Sequence, residues 1–214
     1  MAKEIKVCTI ISGAPDDDTD FIRKSIDKSS YIIAADSGYK KLAEIGIVPD
    51  VIIGDFDSSD KPEYTSEIIT LPVEKEHTDT FAAIILAVKR GYNDITVFGA
   101  IGSRVDHTYS NILCLDYCRK HGTNCRIVNS HNRISLIEGE KQINRDYKWF
   151  SLFAFLGDCK GVKINGAHYT QDYYNEEQID IKQGDQFAQS NYVEGEYATV
   201  KCESGTLLLI ESND

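Results

Sequence analysis

Apolar residues fall into two alternating patterns over the first 130 positions of the chain. Residues 5–11, 32–35, 51–53, 68–72 and 95–98 form short runs rich in Ile, Val and Ala, the pattern of strands buried on both faces of a parallel sheet. Helical periods separate them. Phe81, Ile84, Ile85 and Val88 share one helix face, Thr78 is a good N-cap, and Lys89, Arg90 and Gly91 supply stop signals. A further helix is predicted over about 108–120, and a last strand of this kind over 124–129. From about His131 the alternation stops. Short β segments follow at 134–137, 149–155, 159–164, 185–189, 196–201 and 205–210, divided by turn signals such as Gly139, Gly157-Asp158 and the hairpin pair Asn165-Gly166. The pattern predicts an α/β domain with a mostly parallel sheet over residues 1–130, then a smaller all-β domain, a sandwich, over 131–214.

In open parallel sheets the ligand sits beyond the carboxyl ends of the strands. Asp36, Asp55 and Asp57 all fall there, in Ala35-Asp36-Ser37-Gly38 and Gly54-Asp55-Phe56-Asp57-Ser58. Two carboxylates about 4 Å apart repel by roughly 4 kcal/mol at an effective dielectric near 20, so such a group calls for a cation. Hard oxygen donors suit magnesium. The plainer alternative is that Asp55 and Asp57 are turn and cap residues. Thr78 and Asp79 likewise read as the cap and first turn of a helix. Lys75 and His77, just before that helix, are less easily explained, and a cation beside a helix N-terminus makes an anion site. Between a strand and a helix lies Gly99-Ala100-Ile101-Gly102-Ser103-Arg104-Val105-Asp106-His107. Its glycines let backbone N–H groups approach phosphate, and Arg104 can bind one bidentately, although this is neither a P-loop nor the dinucleotide fingerprint. The acidic run at 16–20 reads as a helix cap. Ser190-Asn191 is either a polar strand end or a small polar binding pair.

With 214 residues there is ample core for one large domain or two small ones. The formal charge of −11 argues against nucleic acid or an anionic membrane as partner. It leaves room for an anionic nucleotide, because bound magnesium and local cations reverse the field at a site. The N-terminal apolar run is too short for a signal or spanning segment, which points to a cytoplasmic protein. Cysteines 8, 114, 118, 125, 159 and 202 fit no zinc spacing and read as reduced thiols.

Taken together these segments resemble thiamine pyrophosphokinases. The resemblance rests on Ala35-Asp36-Ser37-Gly38, Gly46-Ile47-Val48-Pro49-Asp50, Gly54-Asp55-Phe56-Asp57-Ser58, Lys75-Glu76-His77-Thr78-Asp79-Thr80, the Gly99 to His107 turn, and Ser190-Asn191. Gly-Gly pairs of the family stand here as Ser37-Gly38 and Gly102-Ser103.

The resemblance implies a Rossmann-like N-terminal α/β domain that binds nucleotide and metal, and a C-terminal β-sandwich that binds thiamine. It implies transfer of the diphosphoryl group of ATP to the thiamine hydroxyl, releasing AMP, with Mg2+ as cofactor. Asp55, Asp57 and Asp79 would hold magnesium, and Arg104 and Lys75 would neutralise the transferring group. Asp106 would orient the metal shell or the hydroxyl, or act as general base. Asp36, Lys75, His77, Gly99, Gly102, Ser103 and Arg104 would contact the nucleotide; Asp79, Ser190 and Asn191 would contact thiamine, with Tyr169 or Tyr192, and not Trp149, as its aromatic wall. The family's homodimer would build each site from two chains. Two rival readings are another magnesium-dependent phosphohydrolase or phosphotransferase, and a nucleotide- or thiamine-binding sensor without turnover.

Overall fold

The structure is a computed structural model that describes residues 4–15, 18–56, 65–186 and 188–214, the side chain of Tyr174 excepted. Contacts divide the chain into two compact units, Met1–Ser130 and His131–Asp214.

In the first unit the described elements run β1 (Val7–Ile11), α1 (Thr19–Ser25), β2 (Tyr31–Ala35), α2 (Gly38–Glu44), β3 (Val51–Gly54), β4 (Glu67–Thr70), α3 (Asp79–Lys89), β5 (Asp94–Phe98), α4 (Val105–Lys120) and β6 (Asn124–Val128). The strands pair in parallel in the order β6-β5-β1-β2-β3-β4. Strand order reverses at β1, whose two neighbours are β2 and β5, and this is where a doubly wound sheet opens a crevice. Ile11, Ala34, Leu42, Ile52 and Phe98 are among the residues of a buried core on this sheet. The helices begin as their sequences dictate. Asp18 accepts from the backbone of Asp20 and Phe21 at the start of α1, and Thr78 accepts from Phe81 N at the start of α3.

Two glycines let the strand ends close up. A Cβ on Gly99, at φ +67°, would lie 2.1 Å from the Ser12 carbonyl oxygen, and one on Gly38 would lie 2.0 Å from that of Ile11. No larger residue fits either position without moving backbone.

The second unit contains β7 (Asn132–Asn144), β8 (Trp149–Ala154), β9 (Cys159–Asn165), a 3-10 turn at Gln171–Tyr174, β10 (Ile179–Ile181), β11 (Ala188–Asn191) and β12 (Tyr197–Ser212). All the pairings within this unit are antiparallel, over a core that includes Phe150, Leu152, Val162, Ile164, Val200 and Leu207.

The expectation of a Rossmann-like parallel domain beside a separate all-β sandwich is corrected. Among the described residues there are four α-helices against twelve strands, and the strands are joined as one large mixed sheet. The physical reason is visible at two glycines, Gly139, which reads as a turn signal, and Gly205, which reads as the start of a strand. Gly139 at φ +71° and Gly205 at φ +98° bend strands without ending them. β7 therefore runs for 13 residues and β12 for 16, with a register shift between Cys202 and Leu207 that marks a bulge. A strand this long has different neighbours along its length. β12 pairs with β9 through its first part, with β8 through its second, and with β7 along both. Continuous ladders replace the short independent strands that a separate sandwich would need.

Candidate active site

An open cleft of about 350 Å³ lies in the first unit at the carboxyl ends of its strands. Ser12 and Gly13 follow β1, Asp36 follows β2, Asp55 follows β3, and Gly99 follows β5; all line the cleft. Lys75, from the loop between β4 and α3, lines it with Thr78, Asp79 and Thr80 of the α3 N-terminus. Gly102, Arg104, His107, Thr108 and Asn111 line it from the start of α4.

At its centre Lys75 Nζ lies 2.5 Å from Asp55 Oδ2 and 2.8 Å from Asp79 Oδ1, with all three side chains only 15–16% exposed. Burial alone would depress the Lys75 ammonium, but its ion pairs with Asp55 and Asp79 outweigh that and raise its pKa. Burial also raises the Asp79 carboxyl, with Lys75 pulling the other way and the charges of Asp55 and Asp36 adding to the rise. The contact between Lys75 and Asp79 Oδ1 has ion-pair distance without hydrogen-bond alignment, so this buried oxygen has no hydrogen-bond partner.

Asp36 has left-handed backbone, φ 51°, and its N–H donates to Ile53 O at 2.8 Å, which fixes the turn after β2. Aspartate tolerates that region better than most residues. Ser37 Oγ lies 3.5 Å from Asp36 Oδ2 and 2.3 Å from where a Cβ on Gly13 would sit. The hydroxyl therefore fills space that a glycine would leave open. Ser12 was not foreseen as a site residue. It is 2% exposed, and its hydroxyl bonds Thr80 Oγ1 at 2.9 Å, tying the end of β1 to the first turn of α3 beside Asp79.

At the α4 N-terminus, Asn111 Nδ2 donates to Ala100 O at 2.8 Å and Gly102 N donates to Thr108 Oγ1 at 3.2 Å. These bonds hold the Gly99 to Gly102 turn against the helix. Arg104 forks onto Asp106, with Nε to Oδ1 at 2.9 Å and Nη2 to Oδ2 at 2.6 Å, and both side chains are about two-thirds exposed. The guanidinium holds the Asp106 carboxyl well below the usual range. Asp106, unlike Arg104, is not among the cleft residues. His77 and Ser103 are exposed and also outside that lining; the His77 ring packs edge-on against Phe81 at 4.9 Å. Asp57 lies outside the described residues, as do Asp16 and Asp17 of the acidic run.

In the second unit Ser190 is exposed and has φ 54°. Asn191 is fully buried. Its Oδ1 accepts from Tyr169 N and Tyr192 N, each at 2.9 Å, and its Nδ2 donates to Tyr169 O at 2.7 Å. The two tyrosines proposed as a wall are joined by a third aromatic that the sequence reading set aside: Trp149 meets Tyr192 edge-on at 5.8 Å.

Among the described residues no group of three or more His, Cys, Asp or Glu side chains stands ready to hold a metal ion. The donor chemistry nevertheless fits magnesium. Three carboxylates, Asp36, Asp55 and Asp79, face one ammonium, so the charge balance is −3 + 1 = −2, and one buried carboxylate oxygen is without a hydrogen bond. The six cysteines are free and buried, and burial pushes the Cys8 and Cys114 thiols up to about 12. No helix among the described residues is long and apolar enough to cross a membrane.

A family profile described as "Thiamin pyrophosphokinase, catalytic domain" matches residues 22–127. The thiamine pyrophosphokinase of Bacillus subtilis (strain 168) is 26% identical over 219 residues, covering 98% of this chain and 100% of that protein. A crystal structure of the Bacillus subtilis enzyme superposes with TM-score 0.87 at 25% identity, over 98% of this chain and 100% of that one. Thiamin pyrophosphokinase from Candida albicans has the same fold at 18% identity, with TM-score 0.76 over 98% of this chain and 92% of that one. With these matches beside the cleft at the strand ends, the chain belongs to the thiamine pyrophosphokinase family of enzymes.

Proposed function

We propose that the chain transfers the diphosphoryl group of ATP to the hydroxyl of thiamine, giving thiamine diphosphate and AMP. The observation that carries this reading is the Asp55–Lys75–Asp79 cluster in a cleft at the switch of strand order, within the segment matched by the family's catalytic domain.

Such transfers need positioning and charge neutralisation more than covalent help. Asp55 and Asp79, with Asp57, would hold magnesium, which supplies positive charge against the phosphate oxygens. Lys75 holds Asp55 and Asp79 together before substrates arrive, and can turn one N–H toward a phosphate oxygen while keeping the others on the carboxylates. Arg104, at the cleft mouth and forked onto Asp106, must exchange that carboxylate for phosphate to take part. The pair is exposed, so the exchange costs little. Asp106 is thereby kept as the partner that holds Arg104 near the cleft. Asp36 and the Gly99 to Ser103 turn face the nucleotide, and Ser190 contacts thiamine.

A homodimer and a cytoplasmic setting belong to this reading. The first rests on the family resemblance and is tested by sedimentation; the second is supported by the free cysteines. The activity test is incubation with ATP, magnesium and thiamine. Equimolar AMP and thiamine diphosphate are expected. ADP as the stoichiometric product, or phosphate release that does not depend on thiamine, overturns the assignment, and binding of both ligands without AMP favours a sensor.

A further inference from the structure

A second cavity, of about 290 Å³, lies within the second unit. Arg145, Tyr147, Lys148, Trp149, Tyr192 and Val193 line it: three aromatic rings, two cations and no carboxylate. The first three come from the turn between β7 and β8, Trp149 opens β8, and the last two follow β11. The rings are held in place. Tyr192 is stacked on His168 with centroids 4.7 Å apart and planes 14° apart, and it meets Trp149 at 80°. Two rings near a right angle form a corner that can stack one face of a flat ligand and touch its edge.

The cations are open to exchange. Lys148 lies over the Trp149 ring at 4.8 Å, and its ion pair is with Asp214, whose side chain is 78% exposed. A pair that exposed contributes little and yields readily to another anion. Arg145 reaches the Gly195 carbonyl only at 3.5 Å, the outer limit of a hydrogen bond. The nearest acid in sequence, Asp146, is engaged by Arg133 at 3.0 Å.

We propose that this cavity binds a planar aromatic phosphate of the nucleoside monophosphate class, with its ring against Trp149 and Tyr192 and its phosphate against Arg145 and Lys148. Two lining cations favour an anionic ligand over the positive thiazolium of thiamine. AMP is of this class, and the proposed reaction releases it, but the binding does not depend on that reading.

Trp149 is the single tryptophan of the chain, so its fluorescence reports the site directly. The full chain is titrated with AMP, and separately with adenosine and with ribose 5-phosphate, with equilibrium dialysis of labelled AMP alongside in case the indole is silent. Saturable AMP binding is expected, at least about tenfold tighter than either fragment. The double variant Arg145→Ser, Lys148→Ser should weaken it at least about tenfold while melting temperature and thiamine diphosphate formation stay unchanged. No AMP binding, or unaltered binding by the double variant, overturns the site. So does a signal abolished by Lys75→Met, which would place the nucleotide in the first unit's cleft. A failed kinase reading would show only in the separate product assay.

Discussion

Lys75 lies between Asp55 and Asp79, its ammonium 2.5 Å from one carboxylate and 2.8 Å from the other. The ammonium occupies the centre of a field that Asp36 makes still more negative. Lys75→Met should therefore expose carboxylate repulsion. The expected cost is about 1–2 kcal/mol, less than for a fully buried broken pair because these side chains keep some contact with water. Added magnesium should raise the melting temperature of the variant more than that of the wild type. Equal magnesium responses would show that the carboxylates do not share the ion. Turnover should fall with the loss of the cation, read as AMP formation.

Asp79→Asn separates two roles for one residue. As a metal ligand, its loss should abolish turnover while the melting temperature without magnesium stays level or rises, since one repelling charge is gone. As only a first-turn acid of α3, its loss should cost at most about 1 kcal/mol and leave turnover nearly intact. Both quantities measured on the same variant decide the matter.

The Ser12–Thr80 hydroxyl pair, 2.9 Å apart, is a brace between β1 and α3. Ser12→Ala and Thr80→Val should each destabilise modestly, and the double variant should cost less than their sum by about 0.5–1.5 kcal/mol. A positioning role predicts more than stability. Each single variant should lower kcat with little change in KM for thiamine. Strict additivity in denaturant titrations would show that the pair is not coupled.

Residues that carry charge at strand ends were legible in the sequence, because runs such as 51–53 announce a buried strand and Asp55 follows immediately. The cap at Thr78 and the helical face of α3 were legible for the same local reason. What escaped is what depends on distant parts of the chain. Ser12 is an ordinary strand-end residue until Thr80 arrives from 68 positions away. Gly139 reads as a turn because a positive φ serves a turn or a bulge equally well, and only the partner strands decide which. Trp149 was set aside, yet antiparallel pairing of β11 with β8 brings it to Tyr192. For His77, proximity in sequence to Lys75 suggested a shared ligand, while packing on Phe81 gives its ring a local structural explanation.

Ser190 and Asn191, adjacent in sequence, should respond to substitution in opposite ways. Asn191 is fully buried and its amide bridges the backbones of Tyr169 and Tyr192 through three hydrogen bonds. Alanine there leaves two backbone N–H groups and one carbonyl without that partner, and the expected cost is about 2–4 kcal/mol of stability. Asn191→Asp should also destabilise, because a carboxylate cannot donate to the Tyr169 carbonyl. Ser190 is exposed, so Ser190→Ala should leave the denaturation midpoint within about 0.5 kcal/mol of wild type. If Ser190 meets thiamine, its KM should rise several-fold with kcat nearly constant, the pattern of lost uniform binding. Denaturation and steady-state kinetics on the two alanine variants therefore form a crossed test: stability should report Asn191, and KM should report Ser190. A stable Asn191→Ala protein with raised KM would instead put that amide on the substrate.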